Sequence, residues 1–135
     1  MPRKTYRSLR VFLGCHLTHG QSIDRYPRGF PRRGEVYWAD LPPPHGRRPV
    51  LIVSNNAGNR TSNFVLAAPI TTRPRAYPYS ETVALDPDAP VDGTVVCSNL
   101  TSIPKTLLRD CKGQISTPDQ AEIDRALHAA LDLPS

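Results

Sequence analysis

The chain has 135 residues, enough for one domain with a modest core, and a net charge of +5 that is unevenly spread. Residues 1–33 carry eight Lys/Arg against the single acid Asp24, whereas residues 34–135 carry nine against eleven Asp/Glu. The basic signature thus belongs to the N-terminal segment, and nucleic-acid binding by the net-acidic body must rest on where a few arginines sit. The cysteines Cys15, Cys97 and Cys111, odd in number and without a Cys-x-x-Cys pair, favour neither a disulfide framework nor a zinc site and suit the reducing cytoplasm. No stretch approaches the ~18 apolar residues of a membrane span. The apolar patch at residues 11–13, ahead of Cys15, is too short for the roughly 7–15-residue core of a secretory signal.

Residues 1–32 are basic and aperiodic and carry Pro2, Pro27 and Pro31. They read as a disordered extension preceding a folded body at 33–135. The one methionine is Met1 and regular patterning begins only near Arg33, so a misassigned start is expected for residues 1–30 or so. A native N-terminal peptide covering residues 3–25, found by mass spectrometry, would overturn that expectation. Residues 35–40 are β-branched and aromatic and read as a strand. Pro42-Pro43-Pro44-His45-Gly46 reads as a loop, because consecutive prolines supply no ladder donors.

Residues 49–54 form a nearly continuous apolar run, as in a strand buried on both faces, and residues 55–60 read as a turn. Residues 64–70 form another strand whose Pro69 suggests an edge or a bulge. Residues 73–80 read as a loop. Residues 82–85 and 94–97 read as short strands around an acidic turn, residues 98–104 as a continuation of the second, and residues 107–115 as one more strand. Near the C-terminus, Thr117 is a natural helix N-cap, with Pro118 in the first turn and Gln120 completing a capping-box-like pair. Ile123, Ala126, Leu127, Ala130 and Leu131 fall on one face of that helix. Short strands with one terminal helix indicate a mainly β fold, a strongly bent sheet or small barrel.

Arg48 precedes Pro49, which locks its own φ and biases Arg48 toward extended backbone. Its guanidinium then projects from the mouth of a buried strand as a bidentate fork for phosphate. Pairing with a nearby Asp is the plainer alternative. Thr71 stands where the 64–70 strand leaves the core, with a hydroxyl able to donate to a phosphate oxygen; strand propensity alone also accounts for it. His45, three residues before Arg48, offers an imidazole suited to proton transfer, or is a solvated loop histidine. Arg47, Arg60, Arg73 and Arg75 make the flanking loops locally basic, suited to tracking phosphates or simply solvated, and Tyr77 and Tyr79 can stack on bases or pack across their own loop. Trp38 is assigned to the core or a subunit contact. No metal-ligand spacing is present among the histidines.

The segments at 33–40 (RGEVYWAD), 46–55 (GRRPVLIVSN) and 68–72 (APITT) resemble, in order and spacing, the MazF/PemK family of ribonuclease toxins from bacterial toxin–antitoxin modules. The resemblance runs from residue 33 to about 133. It implies a small SH3-like β-barrel (CcdB/MazF-like) with a C-terminal helix, paired as a homodimer. It also implies Arg48 and Thr71 as catalytic residues; His45, Arg47, Thr72, Arg73, Arg75 and Tyr77 are the expected RNA contacts from their own chemistry, and the family does not generally depend on a histidine at the position of His45. The activity implied is metal-independent and cofactor-free cleavage of single-stranded RNA. The substrate's own 2′-OH attacks the adjacent phosphate, leaving 2′,3′-cyclic phosphate and 5′-OH ends, so DNA is not cut. A cognate antitoxin and a cytoplasmic location follow from the same resemblance. The competing expectation is a CcdB-like toxin that binds a protein such as DNA gyrase. Many family members have a longer loop before the Arg-Pro pair than residues 41–47 provide here, which predicts a looser or shorter recognition sequence.

Overall fold

The computed structural model describes residues 25–73 and 78–134. Strand β1 (Glu35–Leu41) pairs antiparallel with β2 (Gly46–Ile52), with Tyr37 opposite Val50 and Leu41 opposite Gly46. The prolines fill the loop as expected, and His45 N–H closes it on the carbonyl of Pro42 at 3.0 Å. The chain re-enters the ladder through Gly46, whose φ of +68° disfavours side-chain-bearing residues. Strand β2 thus begins three residues earlier than its apolar run. Only its second half, Val50, Leu51 and Ile52, is buried on both faces.

Residues 55–60, expected as a turn, instead contain helix α1 (Asn56–Thr61). Asn55 caps it by accepting from Gly58 N–H at 2.8 Å, so an Asn-rich sequence becomes a capped helix turn.

Strand β3 (Phe64–Thr71) lies inside the sheet, with β2 on one side and two strands on the other. Phe64–Ala67 pair with β6 (Thr101–Pro104), and Ile70 and Thr71 pair with β5 (Thr94–Val96). Between β5 and β6 the chain makes a 3₁₀ turn at Cys97–Asn99. Pro69 sits opposite this break, so its missing N–H leaves no ladder bond unmade. That corrects the edge-strand expectation. Strand β4 (Thr82–Ala84) completes one end beyond β5, and β7 (Leu108–Gln114) pairs with β1 at the other through an irregular register around Tyr37.

The order is therefore β4-β5-β3-β2-β1-β7, with β6 beside the first half of β3. Among the described residues no pairing joins β4 to β7, so the sheet is open where a closed barrel was expected. β4 has three residues, and its surroundings are filled by helix α2 (Thr117–Leu131) rather than by another strand.

Strand alternation sorts the core into two clusters. Val36, Leu51, Ala68, Ile70 and Val95 face α2, which contributes Ile123 and Ala126. Tyr37, Ala39, Val50, Ile52, Val65, Ala67, Ile103 and Leu108 form the other. Leu131, assigned to the packed helix face, is 53% exposed because the helix is ending there, at Asp132 in a left-handed cap. The N-cap is Ser116 rather than Thr117. Its hydroxyl accepts from Asp119 N–H at 3.1 Å, while Gln120 turns outward to Asp124. Burial pushes the Cys97 thiol up to about 11, consistent with its role as packing.

Residues 25–32 dock on the body. Tyr26 packs edge-on against Tyr37 and donates its hydroxyl to the Lys105 carbonyl at 3.0 Å. Pro31 is fully buried. The buried Glu35 carboxylate accepts from Arg28 Nε at 3.1 Å, Arg32 N–H at 2.8 Å and the Tyr37 hydroxyl at 3.0 Å. The folded body thus takes in residues 25–32; the earlier part of the expected extension lies outside the described residues.

Candidate active-site groove

The β2–β3 register places Val50 opposite Pro69. Two residues further toward the open end on each strand stand Arg48 and Thr71, which share the face of Val50 and Pro69 by the period-two rule. Those four residues all line one groove of about 880 Å³. Ser98, Asn99 and Leu100, together with β6, supply its far wall, and His45 its rim. A second, smaller pocket of about 430 Å³ opens on the same pair from the other side and includes Trp38, Arg47, Thr72 and Asp92.

Arg48 is exposed, and its Nε donates to the His45 carbonyl at 3.0 Å. That bond orients the guanidinium and leaves its two terminal nitrogens without partners among the described residues. Thr71 Oγ1 accepts from Arg73 N–H at 3.0 Å. With the oxygen so engaged, the Thr71 O–H remains available to donate into the groove.

Arg47 is differently placed. Asp40 takes its guanidinium at 2.8 and 3.4 Å and also accepts from Arg109 Nε at 2.7 Å. The Arg47 and Arg109 hydrogen bonds hold the Asp40 carboxyl below the usual carboxylate range. Arg47 therefore lines the pocket already paired, whereas Arg48 is unpaired by any carboxylate among the described residues. Alternation along β2 separates the two arginines.

Thr72 and Arg73 are exposed at the end of β3, and Arg75 and Tyr77 lie outside the described residues. Trp38 belongs to neither core cluster; it is half-buried and lines the smaller pocket. Of its two expected places, the core and a subunit contact, this corrects the first. Sequence reasoning also missed Ser98, Asn99 and Asp92 as lining residues. The only signal for them was a polar pair directly after an apolar strand and an Asp-Gly turn. Among the described residues, no three His, Cys, Asp or Glu side chains come together as a metal site. No helix there is long and apolar enough to cross a membrane.

Residues 32–131 match the family described as PemK-like, MazF-like toxin of type II toxin–antitoxin system. The chain is 40% identical over 104 residues to the endoribonuclease MazF4 of Mycobacterium tuberculosis, spanning 77% of this chain and 95% of that protein. It is 34% identical over 110 residues to the endoribonuclease MazF6 of the same species, spanning 75% and 96%. Among solved structures, a mycobacterial endoribonuclease in complex with its cognate antitoxin superposes with a TM-score of 0.72. The identity there is 39%, over 78% of this chain and 98% of that one. A MazE–MazF structure from Deinococcus radiodurans superposes with a TM-score of 0.66 at 25% identity, over 78% and 98%. The curated relatives are named as endoribonucleases, which does not favour the expectation of a toxin that binds gyrase.

Proposed function

The chain belongs to the family of PemK-like, MazF-like toxins of type II toxin–antitoxin systems, and on that premise we propose that it is an endoribonuclease whose reaction is centred on Arg48 and Thr71. The observation that carries this reading is their register: two strands present an unpaired guanidinium and a hydroxyl to one groove.

With single-stranded RNA in the groove, the 2′-oxygen attacks the adjacent phosphorus and the bond to the 5′-oxygen breaks. The 2′-hydroxyl loses its proton, the departing 5′-oxygen gains one, and a 2′,3′-cyclic phosphate remains. Charge builds on the non-bridging oxygens as the fifth bond forms. The two free nitrogens of Arg48 meet those oxygens as a fork, and the Thr71 O–H donates to the same group. Neither residue needs to change protonation state, so the pair stabilises the transition state electrostatically without needing a metal or cofactor. His45, Thr72 and Arg73, with Arg75 and Tyr77 shortly after them in sequence, contact the strand on either side, and the already paired Arg47 adds to the field.

The cytoplasm is the compartment this function implies. A homodimer and a cognate antitoxin complete the system; the antitoxin's acidic, partly apolar segment would suit a groove that combines Arg48 with Val50, Pro69, Leu100 and Ile103.

The test is incubation of the purified full chain with mixed-sequence RNA in EDTA, beside Arg48→Ala. Defined cuts ending in cyclic phosphate, slowed about 10²–10³-fold in the variant, are expected. Intact RNA, or equal cutting by both proteins, would overturn the proposal.

A further inference from the structure

Given RNA at Arg48 and Thr71, as proposed above, we infer that the smaller pocket is a nucleobase site in which Asp92 is the specificity-determining residue, selecting guanine. Asp92 is exposed, lines the 430 Å³ pocket together with Trp38, Arg48 and Thr71, and has no hydrogen bond or ion pair among the described residues. Its isolation contrasts with Asp40, which is held by two arginines, and with Asp124, which is bonded to Arg33. Arg48 lines the same pocket without pairing to Asp92.

The position of Asp92 is set by the next residue. A Cβ on Gly93 would lie 3.0 Å from the Thr71 carbonyl oxygen and 2.8 Å from Ile70 Cγ2, so this turn is seated on the end of β3. The Gly93 carbonyl is tied to Leu85 N–H at 3.0 Å. Asp92 is therefore held at a constant place relative to Thr71.

A carboxylate beside an RNA backbone is repelled by phosphates and is favourable only where it meets donors on a base edge. It accepts and never donates when ionised. Adenine and cytosine each present an amino group next to a ring-nitrogen lone pair, and uracil presents one N–H between two carbonyls. Guanine alone presents N1–H beside N2–H₂, two parallel donors spaced for two carboxylate oxygens. The Trp38 indole in the same pocket supplies a face for the base to stack on.

The test compares the full chain with Asp92→Asn, which keeps the shape and the turn preference ahead of Gly93. Cut ends on a random-sequence RNA are mapped for both. Binding is measured to uncleavable 2′-deoxy oligonucleotide pools, each lacking one base, and to the guanine pools with inosine, which lacks the N2 amine. For the wild type, guanine is expected at one constant position relative to the cut, with about tenfold or more weaker binding when guanine is absent or replaced by inosine. The variant is expected to lose both preferences. Absence of a guanine preference in the wild type, or its persistence in Asp92→Asn, would overturn the inference. Guanine-dependent binding lost in Asp92→Asn, but without any cleavage, would support this site while refuting the cleavage reaction.

Discussion

Gly93 lies so close to Thr71 that a Cβ added to it would stand 3.0 Å from the Thr71 carbonyl oxygen, with Ile70 Cγ2 at 2.8 Å. Its φ of +138° is one that side-chain-bearing residues rarely adopt. The turn before β5 thereby sets where β3 ends, and with it the height of the Thr71 hydroxyl. Gly93→Ala is expected to lower stability by about 1–3 kcal/mol and to slow RNA cleavage. Denaturant midpoints and single-turnover rates check both; unchanged values would show that the turn yields freely.

Thr71→Val keeps the strand-favouring shape and removes the hydroxyl. In the proposed reaction the lost donor acts on charge that develops only in the transition state, so kcat is expected to fall about 10²–10³-fold with KM little changed. Loss of the Arg73 N–H acceptor is expected to cost about 1 kcal/mol of stability or less. Thr71→Ser should retain most of the rate. A rise in KM at constant kcat would reassign Thr71 to ground-state binding.

Asp40→Asn tests the pairing that occupies Arg47. Hydrogen bonds from Arg47 and Arg109 lower the Asp40 carboxyl from 3.8. A folded-state value below the unfolded one means that the ionised pair stabilises the fold above pH 3.8 and that this contribution fades as pH falls through the lower folded value. The melting difference between wild type and variant should thus shrink as pH falls below 3.8 and through the lower folded value. Releasing Arg47 should also add about one counterion to the salt dependence of RNA binding. An unchanged salt slope would show that Arg47 meets no phosphate even when released.

Residues 25–32 supply two of the three donors that satisfy the buried Glu35 carboxylate, as well as the Tyr26 ring. A chain beginning at Arg33 is expected to be less stable than one beginning at Arg25 by about 1–3 kcal/mol, because the Glu35 carboxylate loses two of its three hydrogen-bond donors. Equal denaturation midpoints would show that Glu35 is satisfied without them.

Several elements were legible before any coordinates because they depend on local chemistry. The β-branched and aromatic residues of β1, the apolar run of β2, the proline loop between them and the terminal helix follow from strand propensity, burial, missing donors and helical period. Misreadings occurred where a partner far along the chain decides the outcome. Pro69 suggested an edge, yet it lies inside the sheet because the facing chain breaks into a turn at Cys97–Asn99. Residues 55–60 looked like a loop until Asn55 capped them as a helix. Trp38, expected in the core or at a subunit contact, is half-buried and lines a pocket rather than joining the core.

Arg48 and Thr71 were recoverable from sequence as candidates, since Pro49 and the end of an apolar strand point to them. The order of residues alone determines that a guanidinium and a hydroxyl stand at two strand ends. Only the tertiary structure decides that the antiparallel register sets them across from each other on one face, that Asp40 occupies Arg47 and leaves Arg48 unpaired, and that Asp92 reaches the same place. The reason is that side-chain period is a local property of each strand, whereas register, ion pairing and the seating of Gly93 on Thr71 depend on contacts between residues far apart in the chain.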